Sequence, residues 1–510
     1  SCVLQFILFA DDTNLLISGY DKINAKILRA ILPIVIRPLT HLVNLSLQSG
    51  QVPDELKVAR VAPIYKSNDP HTVSNFRPIS VLPIFSKVYE KIMYARLEKH
   101  LAQSDILSPC QYGFRKNLST AHATTLFAEK LYDVLDHNHF AIGTFLDLKK
   151  AFDLVDHEIL LNKLFFYGVK GIALDWFRSY LSGRQQFVAY QSASSNLSDI
   201  VCGVPQGSIL GPLLFLLHIN DLCHQSCVLQ FILFADDTNL LISGNDVNST
   251  VQSLNTELTK LNNWFECNKL CLNVSKTNFI VFSTNPQIRR NNFDVSINGN
   301  CIERVSFTKF LGIIIDERLN WQRQIEHIRN KVSKTIGILF RVRHKVNIKL
   351  LRTLYDTLIL PHFTYCITLW GNTYQKYTKN LEILQKRISR IITYSGFLAH
   401  TAPLFTQLKI LSFENLYHYH VLINTYKVIN SSVYPCNVRE MLDFTTNTQA
   451  HCTRNENDLK IPIRRKQICT FGFKFIGPRL WNHLHVNIRR APTLNSFKYK
   501  LKCHLRQLQC

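Results

Sequence analysis

Two carboxylates stand side by side at Asp236-Asp237, between the apolar runs Phe231-Ile232-Leu233-Phe234 and Leu240-Leu241-Ile242. Such β-prone runs around an Ala-Asp-Asp corner predict a hairpin with buried strands and an acidic tip. Adjacent anions against a packed sheet repel each other and lose hydration, so they persist when protonated, paired with cations or bound to a metal. The alternative is a solvated Asp-rich turn, because turns favour Asp. A third carboxylate, Asp147, ends the strand-like run Phe140-Ala141-Ile142-Gly143-Thr144-Phe145-Leu146 and stands just before a helical stretch. That place suits a metal ligand or, equally, a helix cap. Upstream, Lys66 and Arg77 fall on the two arms of an expected hairpin. There a Lys point charge and a bidentate Arg could clamp phosphates, or be ordinary surface charge. Val201-Cys202-Gly203-Val204-Pro205-Gln206-Gly207-Ser208 is a Gly/Pro-rich loop that opens a helix. Small residues let a backbone approach a ligand, and a helix N-terminus favours anions.

The elements that must position these groups follow from pattern. Lys26–Leu47 has helical periodicity that Pro33 and Pro38 should break or kink. Val58–Lys66 reads as a strand, Ser67-Asn68-Asp69-Pro70 as a turn, and Asn75–Ser80 as the return. A helix is expected from about Val88 to Leu101, then a turn-like aromatic and basic patch at Tyr112-Gly113-Phe114-Arg115-Lys116-Asn117. Ser119 is placed to cap a helix running to about Leu135. Further helices are expected at Ile209–Asp221, Val251–Asn268, Trp321–Arg343 and Leu350–Trp370. Leu270–Phe282 alternates as one strand around Ser275-Lys276-Thr277, and Lys309–Asp316 reads as another. From Asp458 to the end, Phe471, Phe473, Phe475 and Trp481 are interleaved with basic residues, which suits a nucleic-acid surface or a small aromatic core with a basic exterior.

A chain of 510 residues suggests roughly two to four structural units, and 46% apolar content argues against disorder. The formal charge of +23 is uneven: from Glu317 onward there are 31 Lys+Arg against 9 Asp+Glu, a net of +22. A neutral part beside a strongly basic one suggests a polyanion held by one and worked on by the other, although a solvated basic surface has the same composition. The 14 Cys form no CxxC pair and no zinc-like cluster. Cys267 and Cys271 fall in a helical pattern and are expected on a core face, with free thiols in a reducing compartment. No secretory signal precedes Asp11-Asp12, and no uninterrupted apolar run reaches membrane-spanning length, so an intracellular, soluble protein without a membrane partner is expected. Ser1–Gly19 repeats Ser226–Gly244 letter for letter. A solenoid repeat would diverge and recur at a fixed period. This copy reads instead as a rearrangement or a gene-model artefact, and Asp11 and Asp12 as a decoy without the downstream partners of Asp236 and Asp237.

Taken together, Asn75-Phe76-Arg77-Pro78-Ile79-Ser80, Tyr112-Gly113-Phe114-Arg115, Phe145-Leu146-Asp147-Leu148-Lys149-Lys150-Ala151-Phe152-Asp153, Gly203-Val204-Pro205-Gln206-Gly207-Ser208, Phe234-Ala235-Asp236-Asp237 and Phe310-Leu311-Gly312 form an ordered set. In that order and spacing the set resembles the reverse transcriptases of non-LTR (LINE-type) retrotransposons, of the jockey and CR1 kind. Gly477-Pro478-Arg479-Leu480-Trp481-Asn482 is similar to a tail feature of such elements. The resemblance implies an α+β right-hand polymerase: an upstream fingers segment at 20–45, fingers and an antiparallel palm at 46–316, a helical thumb at 317–420 and a basic C-terminal region at 421–510, after the stray 1–19. It implies an RNA-directed DNA polymerase that takes an RNA template, a DNA primer and dNTPs, with access to the nucleus. Asp147, Asp236 and Asp237 would hold two Mg²⁺, for which Mn²⁺ could substitute; two such ions can activate a 3′-hydroxyl and stabilise leaving pyrophosphate. Lys66 and Arg77 would hold the triphosphate, Gln206 would brace nucleotide and template, and Phe152 would lie under the sugar and exclude a 2′-hydroxyl. Lys276 is a candidate general acid for the leaving group. The endonuclease that precedes the polymerase in intact elements has no counterpart in this sequence. The rival reading is a non-catalytic, nucleic-acid-binding relic of a transposon, whose mark would be loss of a carboxylate; all three are in place.

Overall fold

The computed structural model describes residues 19–509 apart from 24, 67–68, 192, 431–438 and 445–457, so the decoy pair Asp11 and Asp12 lies outside the described residues. The principal strands are β1 (Val58–Tyr65), β2 (Phe76–Val81), β3 (Phe140–Leu146), β4 (Arg184–Tyr190), β5 (Gln230–Phe234), β6 (Asp237–Gly244), β7 (Asn278–Phe282), β8 (Phe307–Phe310) and β9 (Ile313–Asp316). The principal helices are α1 (Ala25–Ser49), α2 (Ile84–Gln103), α3 (Thr120–Asp136), α4 (His157–Phe166), α5 (Ile172–Leu181), α6 (Leu210–Ile219), α7 (Val247–Cys267), α8 (Gln322–Val342), α9 (Phe413–Asn430), α10 (Phe473–Asn482) and α11 (Leu494–Gln507). Helices and sheets are thus mixed along the chain.

The central sheet runs β7-β3-β6-β5, with the short strand Glu303–Arg304 added outside β7. The β7–β3, β3–β6 and β6–β5 pairs are antiparallel. Every residue of β3 is buried. Alternate side chains of this strand enter different cores: Phe140, Ile142 and Leu146 point one way, Ala141 and Phe145 the other. The same period-two division holds in β7, where Phe279 and Val281 oppose Ile280 and Phe282. An antiparallel sheet covered on both faces accounts for apolar runs that do not alternate with polar residues. One core is built with residues of α1, α2, α4, α5, α6 and α7, and the other with α3, the β8–β9 hairpin and the helices from α8 to α11. A second sheet orders β2-β1-β4, with β1 antiparallel to β2 and parallel to β4.

Several expectations need correction. Pro33 and Pro38 do not end α1. Both are exposed, while Leu28, Leu32, Leu39 and Val43 keep one buried stripe in register, so the lost hydrogen bonds face solvent. Lys26–Ser49 also passes, by length and composition, as a helix that could cross a membrane. Ser46 accepts a 3.1 Å bond from Trp176 Nε1 on its inner side, whereas Ile34, Leu42 and Leu45 are exposed. Ser119 precedes α3 as expected but makes no side-chain cap; its hydroxyl meets His122 Nδ1 at 3.2 Å. Leu270–Phe282 is two strands, Cys271–Leu272 and β7, parted by a turn that carries Lys276. Lys309–Asp316 folds on itself at Leu311-Gly312, both with positive φ (44° and 86°), as a type I′ hairpin loop requires. Leu350–Trp370 breaks into Ile348–Leu358, Leu360–Thr364 and Ile367–Trp370. Cys267 and Cys271 are exposed and not on a core face, because the helix ends between them. The boundaries expected at 45/46 and 420/421 fall inside α1 and α9.

The C-terminal aromatics form a core. Phe471, Phe473 and Trp481 are buried, and Phe497 stacks on Tyr426 with ring centroids 4.4 Å apart. This part is fastened to α3 by charge: Arg464 Nη1 donates to Asp133 Oδ1 at 2.7 Å and Lys474 Nζ to Asp133 Oδ2 at 2.8 Å.

Candidate active site

β5 and β6 pair through Phe234 and Asp237, so Ala235 and Asp236 alone turn the hairpin. Ala235 takes a left-handed conformation with φ of 56°, a cost for a residue with a Cβ that its surroundings must offset. On the other side of β6, β3 pairs Leu146 with Thr238, which brings the following residue, Asp147, beside Asp237. Three strand ends therefore deliver three carboxylates to one edge of the sheet. Burial, then Asp236 and then Asp147, push the Asp237 carboxyl up to about 6, although its outer edge stays exposed. Burial also raises Asp236, with Asp147 adding to the shift and Arg77 and Lys66 opposing it. Both arms of the β1–β2 hairpin thus act on the acidic corner. The hairpin is closed where Lys66 N–H donates to Asn75 C=O at 2.9 Å, and Arg77 faces Ile64 across it.

Asp147 is held by its own neighbours. Asn273 Nδ2 donates to Asp147 Oδ2 at 2.8 Å, Asn273 N–H donates to the Asp147 carbonyl at 2.8 Å, and Lys276 Nζ lies 3.9 Å from Asp147 Oδ2. Among the described residues no three His, Cys, Asp or Glu side chains are grouped tightly enough to hold an ion as they stand. The donor set nevertheless fits a divalent cation: three hard carboxylates, with Asp236 and Asp237 raised first by burial and then by their acidic neighbours, form a site short of positive charge.

The loop after β4 knits the rest of the site together. Val204 N–H donates to Phe152 C=O at 2.8 Å, Gly203 N–H to Val155 C=O at 2.7 Å, and Ser80 N–H to Gln206 C=O at 2.7 Å. A Cβ on Gly207, whose φ is 127°, would lie 2.5 Å from the Ser80 carbonyl oxygen, so only glycine lets the loop meet β2. Gln206 Nε2 donates to Asp153 Oδ1 at 2.9 Å, next to Phe152 in the chain. Phe152 is half-buried and stacks on Phe215 with centroids 4.5 Å apart; Phe114 meets it edge-on at 6.2 Å.

All eight residues singled out in the sequence lie in two linked groups. Asp147, Asp236, Asp237, Lys66, Arg77 and Lys276 interact by charge, and Phe152 and Gln206 are tied together through the Val204 backbone and Asp153. Sequence reasoning passed over three buried polar residues that also reach the site. Asn273 holds Asp147; Glu90 Oε2 accepts from Ile209 N–H at 2.6 Å where the loop enters α6; and Gln111 meets the backbone of Ala235. Glu90 lies in a helix and Asn273 in a polar turn, where neither type is unusual, so neither carried a signal.

Residues 64–315, close to half of the chain, match the family described as reverse transcriptase (RNA-dependent DNA polymerase). The chain is similar to a probable RNA-directed DNA polymerase from transposon X-element of Drosophila melanogaster, 26% identical over 77% of this chain and 44% of the relative. It is likewise similar to a probable RNA-directed DNA polymerase from transposon BS of the same organism, at 28% over 74% and 42%. The RNA-directed DNA polymerase from mobile element jockey, also of Drosophila melanogaster, is 26% identical over 77% and 44%. The chain thus spans less than half the length of these curated relatives. A solved telomerase from Candida albicans, in complex with a fragment of telomeric RNA, overlays with a TM-score of 0.37 at 14% identity, covering 71% of this chain and 62% of that one. Residues 64–315 belong to the reverse transcriptase family and, by these relatives, to its non-LTR, jockey-like branch.

Proposed function

We propose that the chain is an RNA-directed DNA polymerase of a non-LTR retrotransposon, adding dNTPs to a primer 3′-hydroxyl on an RNA template. The observation that carries this reading is the convergence of Asp147, Asp236 and Asp237 on one sheet edge that the Lys66 and Arg77 arms act upon. In right-hand terms the sheet of β3, β5, β6 and β7 is the palm, the β1–β2 hairpin and helices around it are fingers, and the helices from α8 onward are the thumb and C-terminal region.

The residues divide the work by chemistry. Bound at the corner, two Mg²⁺ ions would supply charge for activating the 3′-hydroxyl and for stabilising the departing pyrophosphate. Asp147, Asp236 and Asp237 are the oxygens that would hold them. Lys66 and Arg77 would bind the triphosphate by point charge and bidentate hydrogen bonds. Gln206, steadied by Asp153, would brace the incoming nucleotide and template. Phe152, fixed on Phe215, would take up the space of a ribose 2′-hydroxyl. Lys276, whose Nζ lies 3.9 Å from Asp147 Oδ2, would give a proton to the leaving group. The basic residues beyond Glu317 would hold the template–primer duplex by its backbone.

Primer extension on an RNA template with Mg²⁺ and dNTPs, beside an Asp236→Asn, Asp237→Asn double variant, tests the reading. Extension by the wild type and none by the double variant is expected. No extension by a wild type that still binds template–primer would replace the enzyme with a binding relic.

A further inference from the structure

We infer that Gln111 is a positioning residue for the acidic corner, clamping the left-handed backbone at Ala235 that aims Asp236 and Asp237. The inference rests on the polymerase reading for its catalytic consequence and on geometry alone for the clamp. Gln111 is 2% exposed and lies in a segment that adds to the outer edge of β5. Leu233 N–H donates to Cys110 C=O at 2.9 Å, and Tyr112 N–H donates to Leu233 C=O at 2.8 Å. Between these backbone bonds the Gln111 side chain turns to the corner. Its Oε1 accepts from Ala235 N–H at 2.9 Å and from Gly113 N–H at 2.8 Å, and its Nε2 donates to the Ala235 carbonyl at 3.4 Å. One amide therefore satisfies both polar groups of the strained residue.

The surrounding sequence has no slack. A Cβ on Gly113 would fall 2.2 Å from Ala235 N, so the backbones touch only because this residue is glycine. Arg115 Nη1 then donates to Ser108 C=O at 2.8 Å and Gln111 C=O at 3.3 Å, which closes the segment on itself. Phe114, next to Gly113, is the ring that meets Phe152. The same short stretch thus braces the carboxylate corner through Gln111 and the Phe152 wall through Phe114. The donor and acceptor pattern needs an amide: a hydrocarbon leaves two buried N–H groups without their acceptor, and a carboxylate keeps the acceptor while losing the donor.

The experiment compares Gln111→Met, which keeps length and packing but makes none of the three bonds, with Gln111→Glu, which keeps the accepting oxygen. Hydrogen exchange over residues 229–241 reads the clamp without reference to activity, and thermal melting verifies that each variant is folded. Faster exchange at the corner in Gln111→Met, with protection largely kept in Gln111→Glu, is expected. Alongside it, the extension rate at saturating primer–template should fall about 10- to 100-fold in Gln111→Met, the loss typical when a group orienting a ligand is removed, with the KM for primer–template unchanged. Corner exchange equal to wild type in folded Gln111→Met overturns the clamp. A wild type without extension overturns the polymerase reading, while the exchange comparison still decides the role of Gln111.

Discussion

Asp237 is an acid shifted to about 6 by burial and by its two carboxylate neighbours. A raised value means that protons are held where an ordinary aspartate has released them, so protons compete with cations below about pH 6. The Mg²⁺ concentration for half-maximal extension should therefore climb as pH is lowered from about 7 to 5, more steeply than in Asp237→Glu, whose longer side chain relaxes the crowding. A requirement that does not change with pH would contradict the arrangement. Phe152 sets a second test at this scale. Its ring is fixed by Phe215, so Phe152→Val opens room on the wall and should raise ribonucleotide incorporation relative to dNTPs by about tenfold or more, since steric exclusion of this kind is worth on the order of 1–3 kcal/mol. Unchanged discrimination in single-nucleotide extension would remove Phe152 from that role. The three carboxylates drew attention because each borders a run whose apolar pattern is local. Asn273 and Gln111 were not, because what they do is decided by partners 126 and 124 residues away in sequence.

Elements were legible where pattern and punctuation agreed. The strand Phe140–Leu146 and the hairpin around Phe231–Phe234 and Leu240–Ile242 read correctly because bounded apolar runs of that length have few other uses. Lys309–Asp316 misled because apolar residues continue on both sides of the turn, and the fold between them is made by Leu311 in a conformation that sequence does not favour. How the C-terminal helices attach to α3 was equally invisible, since the attachment is a long-range charge cluster. Glu129 is fully buried 3.8 Å from Arg464, and burial pushes its carboxyl up to about 7. A folded-state value above the unfolded one gives stability that is complete below about 4.5 and is lost as pH rises through about 7. The melting temperature of the wild type should therefore fall from about pH 5 to pH 8 more than that of Glu129→Gln, as followed by calorimetry. Asp133→Ala should destabilise at any pH near neutrality, because Arg464, 5% exposed, loses its 2.7 Å partner. The loss belongs at or below the roughly 3–5 kcal/mol of a broken buried pair, since Asp133 is itself partly exposed.

At the scale of the whole molecule the uneven charge was plain from sequence, whereas the division of one sheet between two cores was not. The consequence of the division is that the basic helices are not an appendage. α8 buries Ile325, Ile328, Val332, Ile336 and Leu339 in the core that also takes Phe145 and Ile280, and exposes Arg329, Lys331, Lys334 and Arg341. Its charge is therefore held at a fixed place relative to the carboxylate corner, which is what the proposed polymerase would require of a duplex-binding surface. If these side chains neutralise backbone phosphates, binding releases counterions, and each neutralised phosphate adds about 0.9 to the slope of log affinity against log salt. Lys331→Ala, Lys334→Ala and Arg341→Ala combined should weaken template–primer binding to a similar extent for unrelated sequences and flatten that slope by roughly 0.9 for each phosphate left without its cation. The melting temperature should hardly move, because all three side chains face solvent. Fluorescence anisotropy across a salt series measures both quantities together, and an unaltered slope would place the nucleic acid on another face of the molecule.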